Sequence, residues 1–232
     1  MRFGQRPMGV LKSLTLSQLD DLKAVGAVRN YRKNESLYEL GQPTDALYLV
    51  MRGRVRLRDR DWEGRDITVT FAAEGEAFGL EALAELPRRV LSATAAESSE
   101  ILSIDSEPLK DLLAGDNILA RHLLREFASV MTHMDERIKM LAFLDVPSRL
   151  ASTILWLADR YGQGDGGLEV PYWFTHQEMA DLIGSTRETV TTVLADFKRS
   201  GLIDSRNHHF VVMNRDAVVN RIKLPEFGET VG

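Results

Sequence analysis

The sequence predicts an α+β chain with short β-strands first and helices after, closing on a winged helix-turn-helix. Two rhythms predict this. Period-two alternation runs between Leu37 and Ile104, as in Val55-Arg56-Leu57-Arg58 and Ile67-Thr68-Val69-Thr70-Phe71, and an apolar residue recurs every three or four positions after Pro108. A third sign is the segment from Phe174 to Leu194, which reads as two short helices with Gly184 between them.

Leu11 to Val28 opens the chain as a helix, with Ser17 as its cap and Leu16, Leu19, Leu22 and Val25 at helical spacing. Ser36 to Leu40, Ala46 to Arg52, Val55 to Arg60, Ile67 to Ala72 and Ile101 to Ile104 then read as strands of a small antiparallel barrel or roll, punctuated by Gly41, Gly53, Gly64, Gly75 and Gly79. From Pro108 to Leu144 a long helix carries Leu119, Leu123, Phe127, Val130, Met134, Ile138 and Leu141 on one stripe, and Leu124, Met131 and Met140 widen it. Periodicity alone fits a helix paired with a second chain and one buried in its own monomer equally well. Asp145-Val146-Pro147-Ser148 interrupts it, because Pro removes a backbone donor while Asp followed by an early Pro suits a fresh start; a domain boundary is placed there. A helix over Arg149 to Tyr161, a loop over Gly162 to Gly167 and a strand over Leu168 to Trp173 follow.

Composition bounds what such a chain can do. Its 232 residues, 44% hydrophobic and 27% charged, hold apolar material for one large domain or two small ones. No stretch approaches the roughly 20 apolar residues that cross a bilayer. No apolar run follows Arg2 and Arg6, so no leader is expected and a cytoplasmic location is. The absence of cysteine excludes a disulfide, a thiolate-held zinc and a cysteine-ligated iron-sulfur cluster. A net charge of -5 argues against binding nucleic acid through bulk charge, and Pro147 to Gly232 holds nine Lys and Arg against eleven Asp and Glu. Any DNA contact must rest on where the charges are placed.

In the paired-helix segment, Thr175 and Glu178 have the spacing of a capping box, Met179, Ala180, Leu182 and Ile183 form the buried side of the first helix, and Gly184 ends it. Ser185 or Thr186 caps the second helix, which buries Val190, Val193, Leu194 and Phe197 and leaves Arg187, Glu188, Thr191 and Thr192 outward. These outward positions are the ones that reach base edges: Arg187 has the geometry to donate twice to guanine and Glu188 to accept from cytosine. Thr175, Gln177, Ser185, Thr186, Thr189 and Lys198 are placed to meet the phosphate backbone. Gly201-Leu202-Ile203 and Phe210 to Met213 read as two strands of a wing around Arg206-Asn207-His208-His209. On spacing alone, a generic helical hairpin with solvated Arg187 and Glu188 fits almost as well; the wing favours the helix-turn-helix.

These residues resemble the cyclic-AMP receptor protein and fumarate-nitrate regulator superfamily of bacterial transcription factors. The likeness is closest over Leu141 to Val146 and Thr175 to Leu194, and looser over Gly41, Leu47 to Val55 and Gly75 to Gly79. It implies a double-stranded β-roll effector domain over 1–115, a dimerisation helix over 116–144 (Leu123, Phe127, Val130, Met134, Ile138, Leu141), and a winged helix over 145–232. It further implies a homodimer, cytoplasmic, that binds double-stranded DNA at a palindrome with TGTGA-like half-sites and touches RNA polymerase through the Gly162 to Gly167 loop, as an activator rather than an enzyme. Thr192 departs from the family, standing where a second arginine reads the groove.

The effector pocket implied by the resemblance comprises Gly79, Leu80, Glu81, Arg88, Arg89, Leu91, Ser92, Met134 and Asp135. It departs further. The acid of the phosphate cassette is displaced by one position to Glu81, Leu91 stands where an arginine takes the cyclic phosphate, and Met134-Asp135 replaces the pair that meets adenine. Arg88 and Arg89 are expected as loop charges in water, with an inward arginine as the alternative. Cyclic AMP is therefore disfavoured and no cofactor is expected. The competing reading is a cyclic-nucleotide-dependent activator with a rearranged pocket. His122 and His133 fall three turns apart on the long helix, where surface or interface histidines outweigh a haem or metal role. No metal site and no nucleophile with a base and orienting acid is read elsewhere.

Overall fold

The computed structural model describes residues 9–163, 169–206 and 209–222. They fall into two compact units, divided between Thr132 and His133.

The first unit opens with α1 (Val10–Ser13) and α2 (Leu16–Val25) and runs through β1 (Gly26–Tyr31), β2 (Ser36–Tyr38), β3 (Ala46–Arg52), β4 (Arg54–Arg60), β5 (Asp66–Ala73) and β6 (Ala77–Phe78). A 3-10 turn over Leu80–Ala84, β7 (Ser92–Ala95), β8 (Ser99–Asp105), α3 (Ser106–Gly115) and the start of α4 (Asn117–Phe143) complete it. The strands form two antiparallel four-stranded sheets, ordered β1-β8-β3-β6 and β2-β7-β4-β5. Tyr38, Tyr48, Val50, Val55, Phe78 and Ile101, drawn from both sheets, fill the space between them as the interior of a β-roll. The opposite face of the first sheet presents Leu47, Leu49, Leu102 and Ile104 to Leu22, Leu109, Leu119 and Leu123 of the helices. Strand β3 is thus buried on both faces, as its unbroken run Ala46-Leu47-Tyr48-Leu49-Val50 demands.

Several expectations change here. The single opening helix is two short helices and a strand: Thr15, not Ser17, makes the capping box with Gln18, and α2 stops at Val25. Gly26 lies so close to β8 that a Cβ on it would come within 2.7 Å of Leu102 and the Ser103 carbonyl, a proximity the sequence does not display. β1, with four exposed residues, and β7, Ser92-Ala93-Thr94-Ala95, lack the apolar alternation that marks strands, and neither is read from sequence. The long helical stretch breaks at Asp116, whose carboxylate accepts from the Ile118 and Leu119 amides and from Gln18 Nε2. Leu123, expected in a dimer seam, is consumed by the core of its own unit.

The second unit holds the rest of α4, α5 (Val146–Tyr161), α6 (His176–Ile183), α7 (Arg187–Arg199), β9 (Ile203–Arg206), β10 (His209–Val212) and α8 (Arg215–Asn220). Asp145 caps α5 through the Ser148 amide, with Pro147 in the first turn. Leu150, Ile154, Met179, Ile183, Val190, Leu194, Phe197, Val212 and Val218 are all fully or almost fully buried in it. The expected strand from Leu168 to Trp173 is replaced, from Glu169 on, by single bridges of Glu169 to Gln163 and Val211; Pro171 has no amide with which to continue the ladder. Gly164 to Leu168 and the wing tip Asn207-His208 lie outside the described residues. Helix α8 has too few residues for a legible period; Asn214 caps it, and Arg215 grips Asp159 with two hydrogen bonds of 2.6 and 2.9 Å.

Because Leu123 belongs to a monomer core, Leu123→Ala should lower the stability of the first unit by roughly 2–5 kcal/mol. Urea unfolding at two protein concentrations checks it, since a seam residue would make the loss depend on concentration.

Candidate nucleic-acid interface and effector pocket

Helix α6 begins with a closed capping box: Glu178 N donates to Thr175 Oγ1 at 3.1 Å, and Thr175 N donates to Glu178 Oε2 at 2.8 Å. It ends at Gly184, whose left-handed backbone (φ +60°) lets Ser185 N turn back to the Ala180 carbonyl at 2.9 Å. A Cβ there would lie 2.9 Å from Leu141 Cδ2. Thr186, rather than Ser185, caps α7 through the Thr189 amide. The two helices are therefore fixed at both ends of a three-residue bend, Gly184 to Thr186, and the start of α7 is exposed.

Arg187, Glu188, Thr191 and Thr192 are all exposed on one face of α7. Thr191 Oγ1 donates to the Arg187 carbonyl at 2.8 Å and Thr192 Oγ1 to the Glu188 carbonyl at 3.1 Å. Both hydroxyl hydrogens are spent, so toward any further partner these oxygens can only accept. Among the expected backbone contacts, Gln177 holds Asp181 at 2.7 Å, Thr189 and Thr186 share a hydroxyl hydrogen bond of 2.9 Å, and Lys198 is exposed. Beside this face a cleft of about 620 Å³ opens between Trp173, His176, Gln177, Arg187, Lys198 and the wing residue Ser205. His176 is missed by sequence reasoning. Only its place as the first residue of α6 marks it, while its hydrogen bond to Thr191, Nδ1 to Oγ1 at 2.7 Å, is tertiary.

Inside the roll, Arg89 overturns its expected place in water: its side chain is 0% exposed. Arg89 Nη2 donates to Asp45 Oδ1 at 2.9 Å and to the Ala46 carbonyl at 2.7 Å, and Nη1 lies 3.4 Å from Glu81 Oε1. The guanidinium lies over the Tyr38 ring at 4.3 Å and the Tyr48 ring at 5.2 Å. Gly79, in left-handed backbone, makes room for it, since a Cβ there would come within 2.8 Å of Arg89 Nη1. Burial, reinforced by the Glu81 charge, pushes the Tyr38 phenol far above its usual range. The structure thus brings Gly79, Glu81 and Arg89 together. Arg88 is exposed, donating to the Gly41 carbonyl at 2.8 Å; Leu80 and Leu91 are half-buried; and Ser92 accepts from the Leu40 amide. Met134 and Asp135 belong to the second unit, and Asp135 pairs with Lys139.

Comparison with known proteins gives the same division. Residues 28–116 match the cyclic nucleotide-binding domain and residues 148–220 the Crp-like helix-turn-helix domain. A global nitrogen regulator of Synechococcus elongatus is 30% identical over 190 residues, which span 81% of this chain and 86% of that one. The chain belongs to the cyclic-AMP receptor protein and fumarate-nitrate regulator superfamily. It is a DNA-binding transcription regulator of that type. A CRP-like cAMP-activated global transcriptional regulator of Mycobacterium tuberculosis is 29% identical over 84% of this chain and 87% of its own length. The structure of FixK2 from Bradyrhizobium japonicum superposes with a TM-score of 0.77 at 25% identity, covering 87% of this chain and 99% of that one.

The domain that residues 28–116 match is named for a cyclic nucleotide, and the charges found in this roll do not suit one. An anionic phosphate needs a cation to neutralise it. Arg89 is already engaged by a carbonyl and two carboxylates, and the side chain of Glu81, 11% exposed, adds negative charge at the same spot. Elsewhere, among the described residues no three potential ligands converge on a metal position, and none of the helices is long and apolar enough to cross a membrane. His133 instead stacks on Trp156, ring centres 4.2 Å apart, and burial with the nearby Arg160 and Arg137 charges pushes its pKa down to about 4.

Two outcomes follow from these placements. Arg89→Met leaves half-buried Glu81 without its counter-charge and should destabilise the first unit, by no more than the roughly 3–5 kcal/mol of a fully buried broken pair, read as a lowered urea midpoint. For His133, the unfolded chain takes up a proton near pH 6.5 and the folded one only near 4. Stability should therefore fall as pH drops through that window, by about 1.4 kcal/mol per pH unit at most, and His133→Phe should remove that contribution from a pH series of unfolding curves.

Proposed function

We propose that this chain is a homodimeric activator that reads a palindrome with TGTGA-like half-sites through Arg187 and Glu188, and does so without cyclic AMP. The observation that carries the base reading is the exposure of Arg187 and Glu188 side by side in the first turn of a helix whose start is pinned by Thr186 and Gly184. A guanidinium there forks onto guanine O6 and N7, and a carboxylate accepts from cytosine N4. Thr191 and Thr192 extend the surface with acceptors and methyl groups suited to the outer base pairs. Thr175, Gln177, Ser185, Thr186, Thr189 and Lys198 serve the phosphates.

Pairing with a second copy rests on α4. Leu124, Phe127, Met131, Ile138 and Leu141 are exposed, and with half-buried Met134 they keep a strict alternation of three and four residues. That is the a/d pattern of a two-stranded coiled coil. The seam therefore runs through Leu124 and Met131 rather than Leu123 and Val130. Independence from cyclic AMP rests on Arg89, whose charge is neutralised from within. RNA polymerase is the partner assigned to the loop after α5, and the cytoplasm is the compartment where both DNA and polymerase are met. The second reading, a cyclic-nucleotide-dependent activator with a rearranged pocket, is favoured by the cAMP-activated relative from Mycobacterium tuberculosis.

Selection from a randomised duplex pool with no added effector should enrich an inverted repeat with half-sites one DNA turn, about 34 Å, apart. Enrichment only after cyclic AMP is added would establish the second reading. A thermal shift with cyclic AMP decides the same point independently, since a ligand at 100 times its Kd stabilises by about 2.7 kcal/mol. On the selected site, Arg187→Ala should lose about 1–3 kcal/mol of discrimination while binding to unrelated DNA persists. Ile138→Asp should give a monomer by light scattering.

A further inference from the structure

We propose that His176 is a positioning residue that sets Thr191 on the base-reading face and takes up a proton when a DNA phosphate enters the cleft beside it. The inference rests on α7 being the base-reading helix and adds to that reading a named residue and a proton.

The hydrogen-bond directions fix the tautomer. Thr191 Oγ1 has one hydrogen, and it donates it to the Arg187 carbonyl at 2.8 Å. Toward His176 that oxygen is therefore an acceptor, and His176 Nδ1, 2.7 Å away, carries the hydrogen of the contact. In the neutral ring the other nitrogen, Nε2, is left as an unprotonated acceptor. Protonation at Nε2 costs nothing at the Thr191 contact, because Nδ1 keeps its hydrogen. It turns Nε2 into a cationic donor.

The surroundings decide when that happens. From α7, Arg187 and Lys198 line the same cleft; from β9 comes neutral Ser205, and from the segment before α6 come Trp173 and Thr175. From its own helix, Gln177 lines the cleft and is held to Asp181. No carboxylate is among the described residues that line it. Partial burial, then Lys198 and Arg187, hold the imidazole below its ordinary pKa, so without DNA it is neutral at pH 7. A phosphate drawn in by the two cations reverses the balance: the anion favours the imidazolium and accepts from its Nε2–H. Binding then carries a proton, and by linkage the observed affinity must rise as pH falls between the bound and free pKa values of His176. His133, neutral in the folded chain down to about pH 4, does not contribute in this range.

The test is fluorescence anisotropy at fixed salt with two duplexes, one carrying an inverted TGTGA repeat and one without it, from pH ~8.5 to ~5.5. A phosphate contact is blind to sequence, so both duplexes must show the effect. The wild-type chain should gain affinity toward low pH with a slope approaching one proton, about tenfold per pH unit, for each protomer. His176→Asn puts an amide donor where Nδ1–H is and keeps the Thr191 contact. Its affinity, whatever its level, should stay flat across the whole pH range. His176→Gln places its amide where Nε2 is; it should be flat too and relax base preference at the position read by Thr191. A wild-type slope retained in His176→Asn overturns the proposal, as does a flat wild-type profile on DNA that is bound. Failure to bind either duplex at any pH overturns the base-reading assignment along with it.

Discussion

The two-sided burial of β3 is the constraint on which the first unit depends. Its alternate residues look into the roll and out toward the helices: Tyr48 and Val50 one way, Leu47 and Leu49 the other. A sheet buried on only one face leaves its second face to water, whereas this one needs α2, α3 and the first turns of α4 as cover. Leu119 and Leu123 supply that cover, so the long helix is anchored in the β unit before it becomes anything else. The apolar residues left over on α4, among them Leu124, Phe127, Met131, Ile138 and Leu141, stay exposed.

Inside the roll, charge placement changes the meaning of the pocket. A buried guanidinium is costly unless acceptors meet its donors and polarisable groups its faces. Asp45, the Ala46 carbonyl and Glu81 meet the two terminal nitrogens of Arg89 and the rings of Tyr38 and Tyr48 its faces, while its Nε is buried without a hydrogen-bond partner. The shift of an acid by one position, legible as Gly79-Leu80-Glu81, and the arginine ten positions beyond Gly79 are two halves of one arrangement. In it one guanidinium faces two carboxylates, Asp45 and Glu81.

In the second unit a net-acidic chain presents a locally basic cleft. Arg187 and Lys198 sit at opposite ends of α7 yet both line it, because the helix runs along its wall. Placement thus overrides bulk charge at contact distance, where a Debye length of about 8 Å screens the distant carboxylates. The chain of hydrogen bonds from His176 through Thr191 to the Arg187 carbonyl also ties the first helix of the motif to the exposed face of the second. The contact holds whichever charge the imidazole carries, because a proton gained at Nε2 leaves the Nδ1 hydrogen in place.

What the sequence determined by itself was local. Thr175 with Glu178, Gly184, Thr186, and Asp145 with Pro147 announce helix ends, because caps and turns are closed by residues within four positions of each other. The alternating strands and the outward Arg187 and Glu188 were legible for the same reason, periodicity being a property of neighbours. Tertiary structure alone decided the rest. It placed Leu123 in the core of the first unit, turned Gly26 to Tyr31 into a strand by pairing it with β8, and carried Arg89 into the roll. It also brought His176 against Thr191, fifteen positions away. Each of these depends on partners distant in the chain, and a partner distant in the chain leaves no period, cap or spacing to read.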